Sequence, residues 1–256
     1  MVKTWESKKE RELKQRGDFF LRKYGGGIEF QEENSREAKE IQQGFESMLA
    51  RFSPESIDPF VRRTRRREKL AYGQNISSPI LDAEEKVRSL NKMRRASRQG
   101  FYRTRVMGFL ETVGFDTFGM GLPNIPLFTS SLAISLLEVG RMFGFREFQS
   151  FDMYYLLHII QFALNPTEER LDRLKNVAKM RQETKVDERR MEEAIRRTSY
   201  ELSGKIPKLS YSNGKKYHIA EGFAMQKLMK RLLDAASFAY ELRRFKRTKY
   251  ENRYNK

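Results

Sequence analysis

Residues 117–137 form a run of 21 positions without a charged side chain, and Pro123 and Pro126 stand inside it. That length meets the ~18-residue threshold for a membrane-span candidate. Two prolines, however, fix φ and remove backbone donors, so a single straight helix is not expected. The segment reads instead as two apolar helices, 106–121 and 127–143, that turn back at Leu122-Pro123-Asn124-Ile125-Pro126. At 1.5 Å per residue each arm is about 25 Å long, short of the roughly 30 Å hydrocarbon core of a bilayer.

Charge isolates this hairpin from its flanks. The chain carries 51 Lys and Arg against 34 Asp and Glu, a formal charge of +17 with a pI near 10. Residues 1–105 have a net charge of +9, residues 106–165 of −3 and residues 166–256 of +11. The organisation expected is a basic helical N-terminal region (1–105), an apolar hairpin with a third helix (106–164) and a basic helical C-terminal region (165–256), together one domain. A balance this basic implies an anionic partner, either nucleic acid or an acidic membrane face.

The flanks read as helices. Asn34-Ser35-Arg36-Glu37 has capping-box spacing, with Ile41, Phe45, Met48, Leu49 and Phe52 following at helical intervals. Ser53-Pro54-Glu55 and Asn165-Pro166-Thr167-Glu168 each suggest a cap, a first-turn proline and an acid. Asp82 with Glu85 opens a helix carrying Val87, Leu90, Met93 and Phe101, and later apolar sets at Leu171, Leu174 and Ala178, at Met191, Ala194 and Ile195, and from Phe223 to Phe245 keep the same period. Gly25-Gly26-Gly27 breaks an N-terminal helix, and no segment shows strand alternation. The fold class expected is all-α, a helical bundle around the central hairpin.

Several chemistries have no support. The chain has no cysteine, which removes disulfides, thiol nucleophiles and Cys-ligated metal, and its two histidines, His158 and His218, are too few and too far apart for a local metal motif. No metal site and no cofactor are expected. Gly204-Lys205 and Gly214-Lys215 lack the Ser or Thr that completes a phosphate loop. No nucleophile, base and orienting group share a motif, so the protein is not expected to be an enzyme. His158 shares a helical face with Tyr154, Tyr155 and Phe162 and reads as a hydrogen-bonded core histidine. The first ten residues contain no apolar run of signal-peptide type, and the expected location is cytoplasmic.

The run Gly114-Phe-Asp-Thr-Phe-Gly119-Met-Gly121-Leu-Pro123-Asn124-Ile-Pro126, followed by Leu132, Leu136 and Glu138 and then by Phe143-Gly144-Phe145, resembles the EcsC family. The similarity is closest over 93–164, and an early Trp5-Glu6 pair also fits. Asn124 stands where many members have an acid before the Ile/Phe-Pro step, and Arg146 stands where they often have Asp. The resemblance implies a membrane-associated accessory or regulatory protein, with an ABC-type transporter or another membrane protein as partner, and no settled reaction. Its hairpin residues here are Gly119, Gly121, Pro123, Asn124, Pro126, Glu138 and Gly144.

Candidate anion-binding residues come from the charge pattern. Arg62, Arg63, Arg65, Arg66, Arg67 and Lys69 crowd into eight positions, and Arg88, Lys92, Arg95 and Arg98 form a helical stripe just before the hairpin. Each Lys or Arg near an anionic lipid surface contributes about 1 kcal/mol, and basic flanks tend to stay on the cytoplasmic side. Within the second arm, Ser131, Ser135, Glu138 and Met142 form one stripe and Phe128, Leu132, Leu136, Val139 and Phe143 the opposite one. Residues 243–256 carry seven basic side chains in fourteen, interleaved with Phe245, Tyr250 and Tyr254, and read as a solvated tail with single-stranded nucleic acid or a membrane interface as its other uses. The functional expectation is a protein on the cytoplasmic face of a membrane, peripheral or hairpin-anchored. Its rivals are a soluble helical nucleic-acid-binding protein and a lipid-acting enzyme.

Overall fold

A computed structural model describes residues 5–25, 36–51, 90–91, 93–95, 125–145, 149–180, 185–205 and 216–254. Among the described residues all regular structure is helical, an all-α bundle as the periodicity requires. The helices are α1 (Trp5–Tyr24), α2 (Arg36–Ala50), α3 (Ile125–Met142), α4 (Ser150–Leu164), α5 (Glu168–Val177), α6 (Glu188–Lys205) and α7 (Lys216–Tyr254). Leu90 and Met93, in short helical pieces, are buried in the same core.

α4 is the axis. Every residue from Phe151 to Leu164 except Tyr154 is buried, which suits a segment whose apolar side chains leave no polar stripe to face water. α7 packs along one side of it and α6 along another, while α5 follows directly and covers its end. α1 lies against α7, and Phe20 of α1 meets Phe162 of α4 and Phe238 of α7 at ring-centroid distances of 5.7 and 6.0 Å. α2 packs on α3 and α6 through a face that includes the buried Phe45 and Leu49. At roughly 1.5–3 kcal/mol for each fully buried large apolar side chain, this shared cluster is the main source of stability.

α3 is the second arm of the expected hairpin, and it packs as core against α2 and α7. Leu132, Leu136, Val139 and Phe143 are buried as the apolar stripe required, but Ser135, Leu137, Arg141 and Met142 are buried too. Of the stripe that holds Glu138, Ser135 and Met142 are therefore covered, and Glu138 itself is half-buried. The helix also begins at Ile125, two residues earlier than expected, so Pro126 lies in its first turn and not in the turn between the arms. That position is permitted because the first N–H groups of a helix have no intrahelical acceptor to lose. Gly119, Gly121, Pro123, Asn124 and the first arm lie outside the described residues. Among the described residues no helix is long and apolar enough to cross a membrane.

The aromatic-Gly-aromatic element is a helix terminator. Gly144 has φ 94°, the left-handed conformation in which a side chain is strained. This lets the Phe145 N–H donate to Gly140 O at 3.1 Å and the Gly144 N–H donate to Arg141 O at 2.9 Å, the paired bonds of a Schellman cap. Phe145 is then buried against Tyr240 of α7, with ring centroids 5.6 Å apart.

One turn earlier, α3 touches α7 closely enough to demand glycine. A Cβ at Gly140 would stand 2.7 Å from Tyr240 Cζ and 2.8 Å from its Cε1. The Tyr240 ring is fully buried and has no free direction in which to yield. Gly140→Ala is therefore expected to destabilise by about 1–3 kcal/mol, the usual cost of overpacking. Thermal unfolding checks this, and a midpoint equal to wild type would mean that α3 and α7 are not in this contact.

One cap differs from its sequence reading. Asn165 closes α4, its N–H donating to Gln161 O at 3.1 Å, and Thr167 is the N-cap of α5, its side chain accepting from the Arg170 N–H. Pro166 thus precedes the cap. A threonine hydroxyl placed to accept a first-turn N–H outcompetes the asparagine two residues upstream.

Candidate functional site

A helix buried on all sides must find partners for whatever polar groups it carries. On α4 these are Asp152, His158 and Gln161.

Asp152 closes the first turn of α4 by accepting the Gln149 N–H at 2.9 Å on Oδ2, and its Oδ1 accepts from Arg243 Nη1 of α7 at 2.6 Å. Both side chains are almost wholly buried. The Arg243 guanidinium also lies 4.3, 4.8 and 5.1 Å from the ring centroids of Phe145, Phe151 and Tyr155, so its charge is held by one carboxylate inside an aromatic box. Tyr155 donates its hydroxyl to Ala239 O at 2.7 Å. Burial pushes this phenol well above its ordinary pKa, offset in part by Arg243. Arg243 and Phe245 open the segment read from sequence as a solvated tail, and both are core. The helix period of α7 carries through them, and Asp152 supplies the charge that lets an arginine enter.

Gln161 bridges α4 to α6, donating from Nε2 to Thr198 Oγ1 at 2.9 Å and to Ala194 O at 3.2 Å. Its own carbonyl oxygen on the main chain accepts from Arg170 Nη1 at 2.7 Å. Arg170 in turn grips the buried Glu201 with both guanidinium nitrogens, at 2.5 and 2.6 Å, and Arg197 approaches the same carboxylate at 3.5 Å. α4, α5 and α6 are thereby tied together through one planar bidentate pair.

His158 sits beside this group, buried, with the Tyr154 ring edge-on at 4.5 Å. Core placement was expected from sequence, but among the described residues Nε2 has no hydrogen-bond partner. Burial, followed by the positive fields of Arg173, Arg197 and Arg170, pushes the imidazole down to about 4. It is neutral at pH 7.

The third arrangement alternates in sign across α1 and α7. Arg16 and Lys9 both hold the fully buried Glu241, with Lys9 Nζ 2.5 Å from Oε1. Lys9 also reaches Glu12 at 2.9 Å, and Glu12 accepts from Arg94 Nη1 at 2.6 Å. Burial raises the Glu12 carboxyl, but Lys9 and then Arg94 more than offset this and hold it below the ordinary glutamate value. Arg94 therefore turns inward while its neighbour Arg95, the member of the sequence stripe within the described residues, is exposed.

The carboxylates of Asp152, Glu201 and Glu241 are thus each held by arginine or lysine in the interior. The hydroxyls of Thr198 and Ser199 donate to carbonyls of their own helix, Ala194 O and Ile195 O. Among the described residues no three His, Asp or Glu side chains converge on a metal position. These arrangements build a scaffold in which acids and cations are matched inside the bundle. Of the predicted anion-binding set, Arg62, Arg63, Arg65, Arg66, Arg67, Arg88, Lys92 and Arg98 lie outside the described residues. The internal pairs were not singled out in the sequence. An acid such as Asp152 inside an apolar helix was the available signal, because a buried charge requires a partner somewhere.

The family model described as the EcsC protein family covers residues 29–208, most of the chain. No curated protein and no solved structure matches it.

Proposed function

This chain belongs to the EcsC protein family, and on that premise we propose that it is a peripheral accessory or regulatory protein that binds an anionic membrane surface without catalysing a reaction. The supporting observation is net charge. The acids Asp152, Glu201 and Glu241 are buried, but each is matched by at least one cation, so these pairs cancel internally and the +17 excess belongs to the rest of the chain. The second apolar arm is occupied as core of the bundle. Attachment by surface charge is therefore favoured over attachment by inserting that arm. An ABC-type transporter is the membrane partner that the family resemblance implies.

Co-flotation of the whole chain with vesicles of phosphatidylserine and phosphatidylcholine, at low and high salt, tests this. Binding is expected at low salt and should fall as salt screens the headgroup charge. Absence of vesicle binding, together with a gel shift on random DNA or RNA, would replace the reading with that of a soluble nucleic-acid-binding protein. Turnover of a headgroup or acyl chain would make the protein a lipid-acting enzyme.

A further inference from the structure

Resting on the membrane-surface reading above, we propose that the outward face of α1 is the surface that docks on an anionic lipid bilayer. The inner face of this helix is fixed to the bundle: Leu13 and Phe20 are buried in the common core, and Lys9 and Arg16 are held by Glu241. The outer face is thereby presented on a backbone that is already ordered before contact, which lowers the cost of docking.

That face is basic with an apolar centre. Lys8, Arg11, Lys14, Arg22 and Lys23 are all exposed. Phe19 stands among them at 49% exposure, the largest value for a big apolar side chain among the described residues. Lys23 Nζ lies 5.2 Å from its ring centroid. The acids nearby are Asp18, half-buried, Glu12, half-buried and paired with Lys9 and Arg94, and Glu10, which is 3.4 Å from Lys246 of α7. Cations ringing an exposed phenylalanine match a bilayer interface, where the ring enters the acyl boundary and the cations remain at headgroup level. A single-stranded nucleic-acid surface would instead offer a series of aromatics for successive bases. Among the described exposed residues of α1, Phe19 is the only aromatic. α1 also precedes the stretch matched by the family model, so this face is a feature of the chain outside residues 29–208.

The test uses the full chain with vesicles of equimolar phosphatidylserine and phosphatidylcholine, and with phosphatidylcholine alone. At roughly fivefold per cation near an anionic surface, the combined Lys8→Gln, Arg11→Gln and Lys14→Gln variant is expected to lose about a hundredfold in affinity at low salt. Phe19→Ser should weaken binding at both low and high salt, because its contribution is not screened. The comparison variant takes equal charge from α6, through Arg189→Gln, Arg190→Gln and Arg196→Gln, where Glu188, Glu192 and Glu193 are exposed alongside. It is expected to bind nearly as wild type does. The substituted side chains are all exposed, so far-UV circular dichroism should be unchanged.

Wild-type binding retained by the α1 variant, or an equal loss in the α6 variant, overturns this face and leaves the membrane reading standing. A wild type that binds neither vesicle overturns both. An α1 variant that loses duplex DNA binding but keeps vesicle binding assigns the face to nucleic acid and overturns the proposal.

Discussion

Glu241→Ala is expected to lower stability by about 3–5 kcal/mol, the range for removing one member of a buried ion pair. The cost does not come from the lost attraction alone. Glu241 is wholly buried, and Lys9, held by it at 2.5 Å, is buried too, so the substitution strands an ammonium whose remaining carboxylate is Glu12. Arg16 has a less severe position, since its side chain keeps 22% of its exposure and can rotate towards water. For a chain of this size about 1 kcal/mol moves the midpoint by roughly 2–4 °C, so a fall of about 10 °C in thermal unfolding is the measurement. The companion variant, Lys9→Met with Glu241→Met, should recover much of the loss, because replacing both ions by apolar groups removes the desolvation cost with the attraction. If Glu241→Ala melts within a degree or two of wild type, Lys9 and Glu241 are hydrated in solution and α1 is not seated as described.

What could be read from sequence divides along the range of the interaction responsible. Local terms were legible. The period of α4, the stop at Gly25 and the glycine between Phe143 and Phe145 each depend on residues within a turn or so of one another, and each corresponds to an observed feature. The cap of α5 shows the limit even there, since Asn165 and Thr167 are both good caps and only the geometry of the link decides between them. Long-range pairing was not legible. Asp152 and Arg243 are 91 residues apart, and Arg16 and Glu241 are 225 apart. Nothing in the local sequence of Arg243 distinguishes it from the cations that follow it. The same gap made the second arm of the hairpin ambiguous: 21 uncharged residues suit a lipid environment and a protein core equally, and only α2 and α7 packing on α3 decides for the latter.

Acid should destabilise this protein earlier than its carboxylates require, through His158. The imidazole is pushed down to about 4 in the fold from an ordinary value of 6.5, so between these limits the unfolded chain binds a proton that the folded chain refuses. Stability from this group is fully present above pH 6.5 and is lost as pH falls through 6.5 towards 4. A shift of this size corresponds to about 3 kcal/mol. Burial is the largest cause of the shift, and the charged groups that add to it come from two further elements, Arg173 and Arg170 on α5 and Arg197 on α6; Tyr154 packs on the ring and Glu201 is the acid engaged by Arg170 and Arg197. Glu12, whose carboxyl is held below the ordinary value, contributes in a lower window, below its unfolded pKa of about 4.5, and is common to any His158 variant. His158→Phe preserves a planar ring against Tyr154 while removing the titration. Its unfolding free energy, measured in urea at pH 7 and at pH 4.5, should fall by about 2–3 kcal/mol less than that of wild type over the same interval. Identical falls in the two proteins would mean that the imidazole is solvated in the folded state and that the packing of α4, α5 and α6 admits water at His158.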